Sequence, residues 1–233
     1  IDKYSEGAPA VAGRAYAVNI IGCIIGPIFA SYITLPFLGV KASLILLAVP
    51  YVLFFIYSMS IYKPMIYRAA PIGIIIFAAL ATSVFISDTY EETYEKGNSF
   101  VRRDHTATVV STGSGFERRL LVNGIGITKL SVITKNMAHF PIFFLNRKPE
   151  SALLICFGMG TTYRSLMSWD IDVTAVELVP SVKDAFGYYF DDAEAILKNP
   201  KGRVVIDDGR RFLNRTTKIY DVITIDPPPP VEA

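Results

Sequence analysis

The 233 residues contain two cysteines, two histidines and one tryptophan. Cys23 and Cys156 both lie in apolar runs, with no metal spacing and no disulfide framework around them, so both are expected as buried thiols. His105 and His139 stand 34 positions apart and form no ligand pair, so no metal site is expected. Net charge is only +2, which gives no electrostatic case for nucleic acid as a partner. Charged residues make up 19% of the chain, and long stretches lack them altogether. What fills the sequence instead is apolar: 52% hydrophobic residues and a mean hydropathy of +0.39. Those values are high for a soluble α/β protein and place part of the chain in lipid.

Three uncharged runs carry that excess. Ala15 to Val40 is bounded by Arg14 and Lys41, Ala42 to Tyr62 by Lys63, and Ala69 to Ser87 by Arg68 and Asp88. Each is long enough to cross a hydrocarbon core of about 30 Å, which takes about 20 helical residues. Residues 1–87 are therefore expected to form three transmembrane helices; the alternative is a set of buried core helices. Gly22, Gly26, Ala30 and Ser31 give the first run a small-residue face, which in lipid permits close packing against another helix of this protein or of a partner. Pro27 inside it is expected to kink it. No charge lies within a run, so nothing marks an ion pathway. Three spans would put Lys3, Arg14, Lys63 and Arg68 on one side, and Lys41 with Arg102-Arg103 on the other. The positive-inside rule then leans weakly towards a C-terminal domain outside the cytoplasm and leaves its side open.

Residues 88–99 read as a charged juxtamembrane linker and 100–146 as a β-hairpin region. Thr106 to Ser111, a turn at Thr112-Gly-Ser-Gly115 and Arg118 to Val122 make the hairpin, and Asn123-Gly124 is a second turn signal. Val132 to Phe144 reads as a short helix carrying Met137, His139 and Phe140 towards a core.

From 147 to 233 strands and helices alternate, as in a Rossmann-like nucleoside-binding domain. Ala152-Leu-Leu-Ile-Cys-Phe-Gly-Met-Gly160 is a strand ending in two glycines, followed by a helix from Thr161 to Trp169 whose two threonines suit its cap. Ile171 to Val176 is the next strand, and Glu177 at its end stands 19 residues after Gly158. Glycines after a first strand let a ligand approach the backbone, and an acid at the tip of the second accepts bonds from ribose hydroxyls. The alternative is an ordinary tight strand-to-helix turn. Pro180 to Phe190 reads as a helix, Arg203 to Ile206 as a strand ending in Asp207-Asp208, and Tyr220 to Ile225 as a strand ending in Asp226. All these acids stand at carboxyl ends of strands, where open α/β sheets bind ligands; Asp207 and Asp208 are also good caps for a following helix.

Residues 100 to 233 resemble spermidine synthases, aminopropyltransferases built on the S-adenosylmethionine methyltransferase fold. The matching pieces are Leu121 to Gly124, Met137 to Pro141, the glycine turn, Val176-Glu177, Asp208 to Leu213 and Tyr220 to Asp226. Gly13 to Asn19 and Leu35 to Gly39 are similar to the membrane portion of bacterial proteins in which a spermidine-synthase-like domain follows transmembrane helices. The resemblance implies that Gly158 and Gly160 line the methionine side of S-adenosylmethionine or its decarboxylated form. It implies that Glu177 binds the ribose, Asp208 the adenine amino group, and that Asp226 is the catalytic base on the attacking amine. Two departures stand out. The synthases carry an aspartate at the position of Met159 and a second one, which holds the diamine, at the position of Pro229. A dicationic acceptor needs carboxylates at its ends, so putrescine is not the expected substrate.

The expected function is thus a membrane-anchored transferase of unknown acceptor, multi-pass in a bacterial inner membrane. The alternative is a catalytically silent accessory subunit of a membrane complex, with the bilayer and a helix against the Gly22/Gly26 face as partners. A nicotinamide enzyme is disfavoured because Tyr163 replaces the third glycine of that fingerprint. Four visible strands, where this fold has about seven, give the expectation of a domain incomplete at its C-terminus, with further chain or a partner beyond the fourth.

Overall fold

In the computed structural model, residues 9–61, 75, 78, 79, 81, 82, 84–95 and 99–227 are described. They form two compact units, Ile1–Ser87 and Asp88–Ala233.

The first unit contains α1 (Pro9–Phe29), a π-helical turn (Ala30–Thr34) and α2 (Leu35–Ile61). α1 buries none of its residues. It runs on through Pro27, and the interruption falls instead at Gly39, whose φ of 72° and ψ of 177° is a conformation open essentially to glycine alone. Sequence reading takes Ala15–Val40 and Ala42–Tyr62 as two spans. Among the described residues there is one helical run, Pro9–Ser58, long and apolar enough to cross a membrane. Its 50 residues would reach about 75 Å if straight, far beyond a hydrocarbon core of about 30 Å. Gly39 divides that length near the expected boundary. The third run falls mainly outside the described residues; Ile75, Ala78, Ala79, Ala81, Thr82 and 84–86 are helical. Three spans are therefore not established. Beside the Gly39 break, Lys41 Nζ donates to the carbonyl of Ser87 at 2.9 Å, and Ser43 Oγ donates to the Gly39 carbonyl at 2.6 Å.

The second unit opens with a short helix, α3 (Tyr90–Glu95), inside the expected linker. A capping box starts it: Glu92 N–H donates to Thr89 Oγ1 and Thr89 N–H to Glu92 Oε2. Its Glu91 is buried and paired with Arg103 at the end of β1 (Ser99–Arg103). β1, β2 (Thr108–Thr112), β3 (Arg119–Val122) and β4 (Ile125–Lys129) make an antiparallel meander in that order. The expected hairpin is β2–β3, with Val109 opposite Val122. Asn123 and Gly124, at φ 52° and 80°, make the second turn.

α4 (Val132–Phe143) follows. It buries Ala138 and Ile142, whereas Phe140 is exposed and Met137 and His139 are only half-buried. The helical stripe is thus rotated from the expected one. Small Ala138 lets the backbone approach its neighbours, and His139 turns sideways to accept a 2.9 Å bond at Nδ1 from Trp169 Nε1.

The α/β layer is a parallel sheet of β5 (Ser151–Ile155), β6 (Asp172–Glu177), β7 (Gly202–Ile206) and β8 (Val222–Ile225), in spatial order β7-β6-β5-β8. β5 and β6 are buried along most of their length, as near-continuous apolar runs covered on both faces should be, whereas β8 alternates and leaves Ile223 and Ile225 half exposed on one face. α5 (Thr161–Met167) crosses from β5 to β6 and α9 (Gly209–Arg215) from β7 to β8. The helix expected over Pro180–Phe190 is three short pieces: α6 (Pro180–Asp184), α7 (Phe186–Tyr189) and α8 (Ala193–Leu197). They clamp the meander: Ser181 N–H donates to Asp104, Tyr188 Oη to the Gly113 carbonyl, and Tyr189 Oη to Ser111 Oγ. The main core gathers Val109, Leu120, Leu154, Phe157, Tyr163, Leu166 and Phe186, so meander and sheet share one interior.

Candidate functional site

Because β5 lies between β6 and β8, the ends of the three strands bring Glu177, Cys156 and Asp226 side by side. Gly158 and Gly160 lie on the turn after β5, and Asp208 follows the neighbouring β7. All five residues singled out from the sequence therefore stand at one carboxyl edge of the sheet.

Three residues of the turn, Cys156, Gly158 and Gly160, have left-handed φ of 73°, 54° and 77°. This alternation turns successive N–H groups towards Glu177. Its Oε2 accepts from Phe157 N–H at 2.9 Å and Gly158 N–H at 3.3 Å, and its Oε1 from Val179 N–H at 3.0 Å. Glu177 is buried, and an ionised carboxylate has about four acceptor positions. One remains for a hydroxyl group. Gly160 caps α5 and lies against Phe186, so the two threonines occupy the first turn and are buried rather than capping.

Asp208 is the N-cap of α9: its Oδ1 accepts from Arg211 N–H at 2.8 Å. The capping reading is thus correct for this residue, and it leaves Oδ2 for a second donor. Asp207 pairs with Arg211 instead. Between Glu177 and Val179, Leu178 exposes about half its surface beside the same edge. The sequence shows only an apolar residue after Glu177; its exposure is visible in the fold alone.

Asp226 is half-buried. Burial raises its carboxyl above the ordinary range, against a bond from Thr162 that works the other way. Thr162 Oγ1 stands 3.0 Å from Asp226 Oδ2 and 2.8 Å from the Thr134 carbonyl in α4. Cys156 is half-buried, and its thiol is pushed up to about 11 by burial, then by Glu177 and Asp226. The expectation of two buried thiols fails, since Cys23 is exposed on α1, which buries none of its residues, and Cys156 is only half-buried. Among the described residues no cluster of His, Cys, Asp or Glu is arranged to hold a metal ion.

Below Asp226 on the same face of β8, Thr224 donates to the Met137 carbonyl at 3.2 Å. Here a cleft of about 450 Å³ is lined by Ile133, Asn136, Met137, Phe140, Pro141 and Thr224. Only two of these six side chains are polar and none is a carboxylate. The four-proline run lies outside the described residues beyond Pro227.

Residues 130–233 match the family model "Spermine/spermidine synthase domain". The polyamine aminopropyltransferase of Sulfurisphaera tokodaii is 28% identical over 123 residues, 50% of this chain and 41% of that protein. That of Methanocaldococcus jannaschii is 33% identical over 97 residues, 41% of this chain and 33% of that protein. The chain thus spans about two fifths or less of the length of these two relatives. Among solved structures, the spermidine synthase of Thermotoga maritima aligns with a TM-score of 0.48 at 21% identity, covering 55% of this chain and 46% of that one. Residues 130–233 are similar to spermine and spermidine synthases, as the sequence motifs from Met137 to Asp226 indicate.

Proposed function

We propose that this chain is a membrane-anchored, spermidine-synthase-like transferase that binds S-adenosylmethionine or its decarboxylated form. The observation that carries the reading is the row of Glu177, Cys156 and Asp226 across adjacent strand ends, with the glycine turn in front and Asp208 one strand on. The residues fit such a nucleoside. Glu177 keeps one acceptor position for a ribose hydroxyl, Asp208 Oδ2 is open to an amino group, and exposed Leu178 offers an apolar surface for a base. When bound, the sulfonium supplies an electrophilic carbon. Asp226, in the polar corner above the apolar cleft, takes the proton of the attacking nucleophile as the new bond forms.

Among the described residues the lining of the cleft beside Asp226 holds no carboxylate, and Met159 is buried in the core where synthases carry an acid. Both support an acceptor other than a diamine dication. The apolar run of Pro9–Ser58 supports anchoring in a bilayer, with the open Gly22/Gly26 face as the surface for a partner helix. The position of Met159 also favours a second reading, a catalytically silent subunit of a membrane complex.

Calorimetry on the full-length protein separates the two. S-adenosylmethionine, its decarboxylated form and methylthioadenosine are titrated into the parent and into Asp208→Ser. Serine keeps the N-cap bond and removes the carboxylate. A transferase binds at least one of the three, and the variant binds it about tenfold more weakly, as for a charge-assisted bond lost. No binding of any in a folded sample overturns the reading in favour of the silent subunit.

A further inference from the structure

Thr162 has one hydroxyl hydrogen and two acceptors. It is 3.0 Å from Asp226 Oδ2 and 2.8 Å from the Thr134 carbonyl oxygen. It cannot donate to both. The side chain is 1% exposed, so no water stands in readily for a missing bond. Two arrangements satisfy every atom. With Asp226 ionised, Thr162 donates to Oδ2. With Asp226 protonated, the carboxyl donates to Thr162 Oγ1, and the hydroxyl hydrogen turns to the Thr134 carbonyl. That carbonyl lies in the first turn of α4, one residue after Ile133 in the wall of the cleft.

We propose that Thr162 is a positioning residue that couples the protonation state of Asp226 to α4, its hydroxyl turning to donate to the Thr134 carbonyl when Asp226 takes up a proton. No proton leaves the set in this exchange. Asp226 gains one at Oδ2, and the hydroxyl rotates about its C–O bond. Its function rests on the reading of Asp226 as a base. The proton taken from the nucleophile is then held by a bond to Thr162, and the helix lining the cleft gains a hydrogen bond at the same moment. The groups that face the carboxyl from the neighbouring elements are the Cys156 thiol at the end of β5, Glu177 beyond it at the end of β6, and Thr162 from α5. Glu177 is tied to three backbone N–H groups. Burial pushes the Cys156 thiol up to about 11, so it stays neutral beside Asp226 over the ordinary carboxyl range.

The test needs no ligand, so it stands apart from the proposed activity. Labelling with carbonyl-¹³C threonine and ¹⁵N lysine selects the Thr–Lys peptides, which follow Thr128, Thr134 and Thr217 alone. Thr134→Ser identifies the signal of interest. The full-length protein is titrated from about pH 4 to 8, across and above the ordinary carboxyl range, and the side-chain carboxyl signal assigned by Asp226→Asn is followed in parallel. The Thr134 carbonyl shift should move with the titration of Asp226 in the parent and in Thr162→Ser, and be flat in Thr162→Val and Asp226→Asn. A purely structural threonine would leave the shift flat in the parent, which overturns the proposal. So does a titration that persists in Asp226→Asn, a variant that serves even if Thr162→Val fails to fold.

Discussion

Replacing Gly160 by alanine tests whether the glycine turn is held by its interior packing as well as by its backbone. At φ 77° and ψ 8°, an alanine meets the left-handed penalty of about 1–2 kcal/mol. Its Cβ would also sit deep inside the contact radii of Phe186 Cδ2 and Cε2, and 3.0 Å from Phe157 Cζ. Both rings are at most 1% exposed and stack edge to face, with centroids 5.2 Å apart, so neither can swing out. Overpacking of that kind costs about 1–3 kcal/mol more. The sum is about 2–5 kcal/mol. Gly158 provides the control. It is also left-handed, at φ 54°, but a Cβ there would meet only Thr128 Cγ2 at 3.9 Å. Its substitution should therefore cost the backbone term alone, about 1–2 kcal/mol. Urea unfolding followed by fluorescence reads the difference, because Trp169 is the single tryptophan and lies in the second unit, bonded to His139 and edge-on to Phe143. Equal midpoints for the two variants would refute the packing argument and leave only backbone strain.

Other expectations use the same fluorescence. Asp221 is held at about 2 by the N–H of Glu150, by Arg147 and by the N–H of Ser151. Since this lies below the unfolded value of about 3.9, its contribution is present above about pH 4 and lost as pH falls towards 2; Asp221→Asn should abolish that part of the acid sensitivity. Asp226 has the opposite sign: its carboxyl is raised chiefly by burial, so stability falls as pH rises through its titration, and Asp226→Asn should be more stable than the parent at pH 7. An unchanged midpoint there would speak against burial as the cause. Tyr163 is fully buried, its hydroxyl has no partner among the described residues, and burial pushes it up to about 12. Tyr163→Phe should therefore stabilise by about 1 kcal/mol; a loss would mean that the hydroxyl finds a donor or acceptor in solution.

Local signals in the sequence reach the strands and turns but not what lies across them. Asn123-Gly124 specifies its turn because both residues tolerate positive φ, and the apolar pairs Val109–Val122 and Val110–Leu121 meet across the hairpin. β5, β6, β7 and β8 are legible as apolar runs ending in acids or glycines. Sequence order alone does not give the sheet order: β8 pairs with β5, 67 positions away from Ile155 to Val222, and passes over β6 and β7. That pairing sets Asp226 against Thr162, which reads in the sequence merely as a capping residue. The rotation of α4 is hidden for a related reason. Its apolar residues lie all round the helix, and only the tertiary neighbours decide that Ala138 goes in and Phe140 stays out.

Glutamate 177 draws the two kinds of information together and limits how its role can be tested. An acid at the end of a second strand is recognisable from the sequence, and its expected duty is a ribose. In the fold the same carboxylate holds three N–H groups, two of them in the glycine turn. Leaving buried donors unpaired costs about 1–3 kcal/mol each. Glu177→Ala should therefore loosen the turn whether or not a nucleoside ever binds, and loss of binding in that variant alone would not separate the two duties. Glu177→Gln keeps one acceptor oxygen and turns an NH₂ group towards a backbone donor. If Glu177 serves only the turn, its stability loss and any loss of nucleoside affinity should be matched by Gly158→Ala, which strains the same turn without touching the acid. If it also binds the ligand, Glu177→Gln should lose affinity well beyond a Gly158→Ala variant of equal or lower stability. Parallel affinity losses in the two variants would remove Glu177 from the nucleoside site.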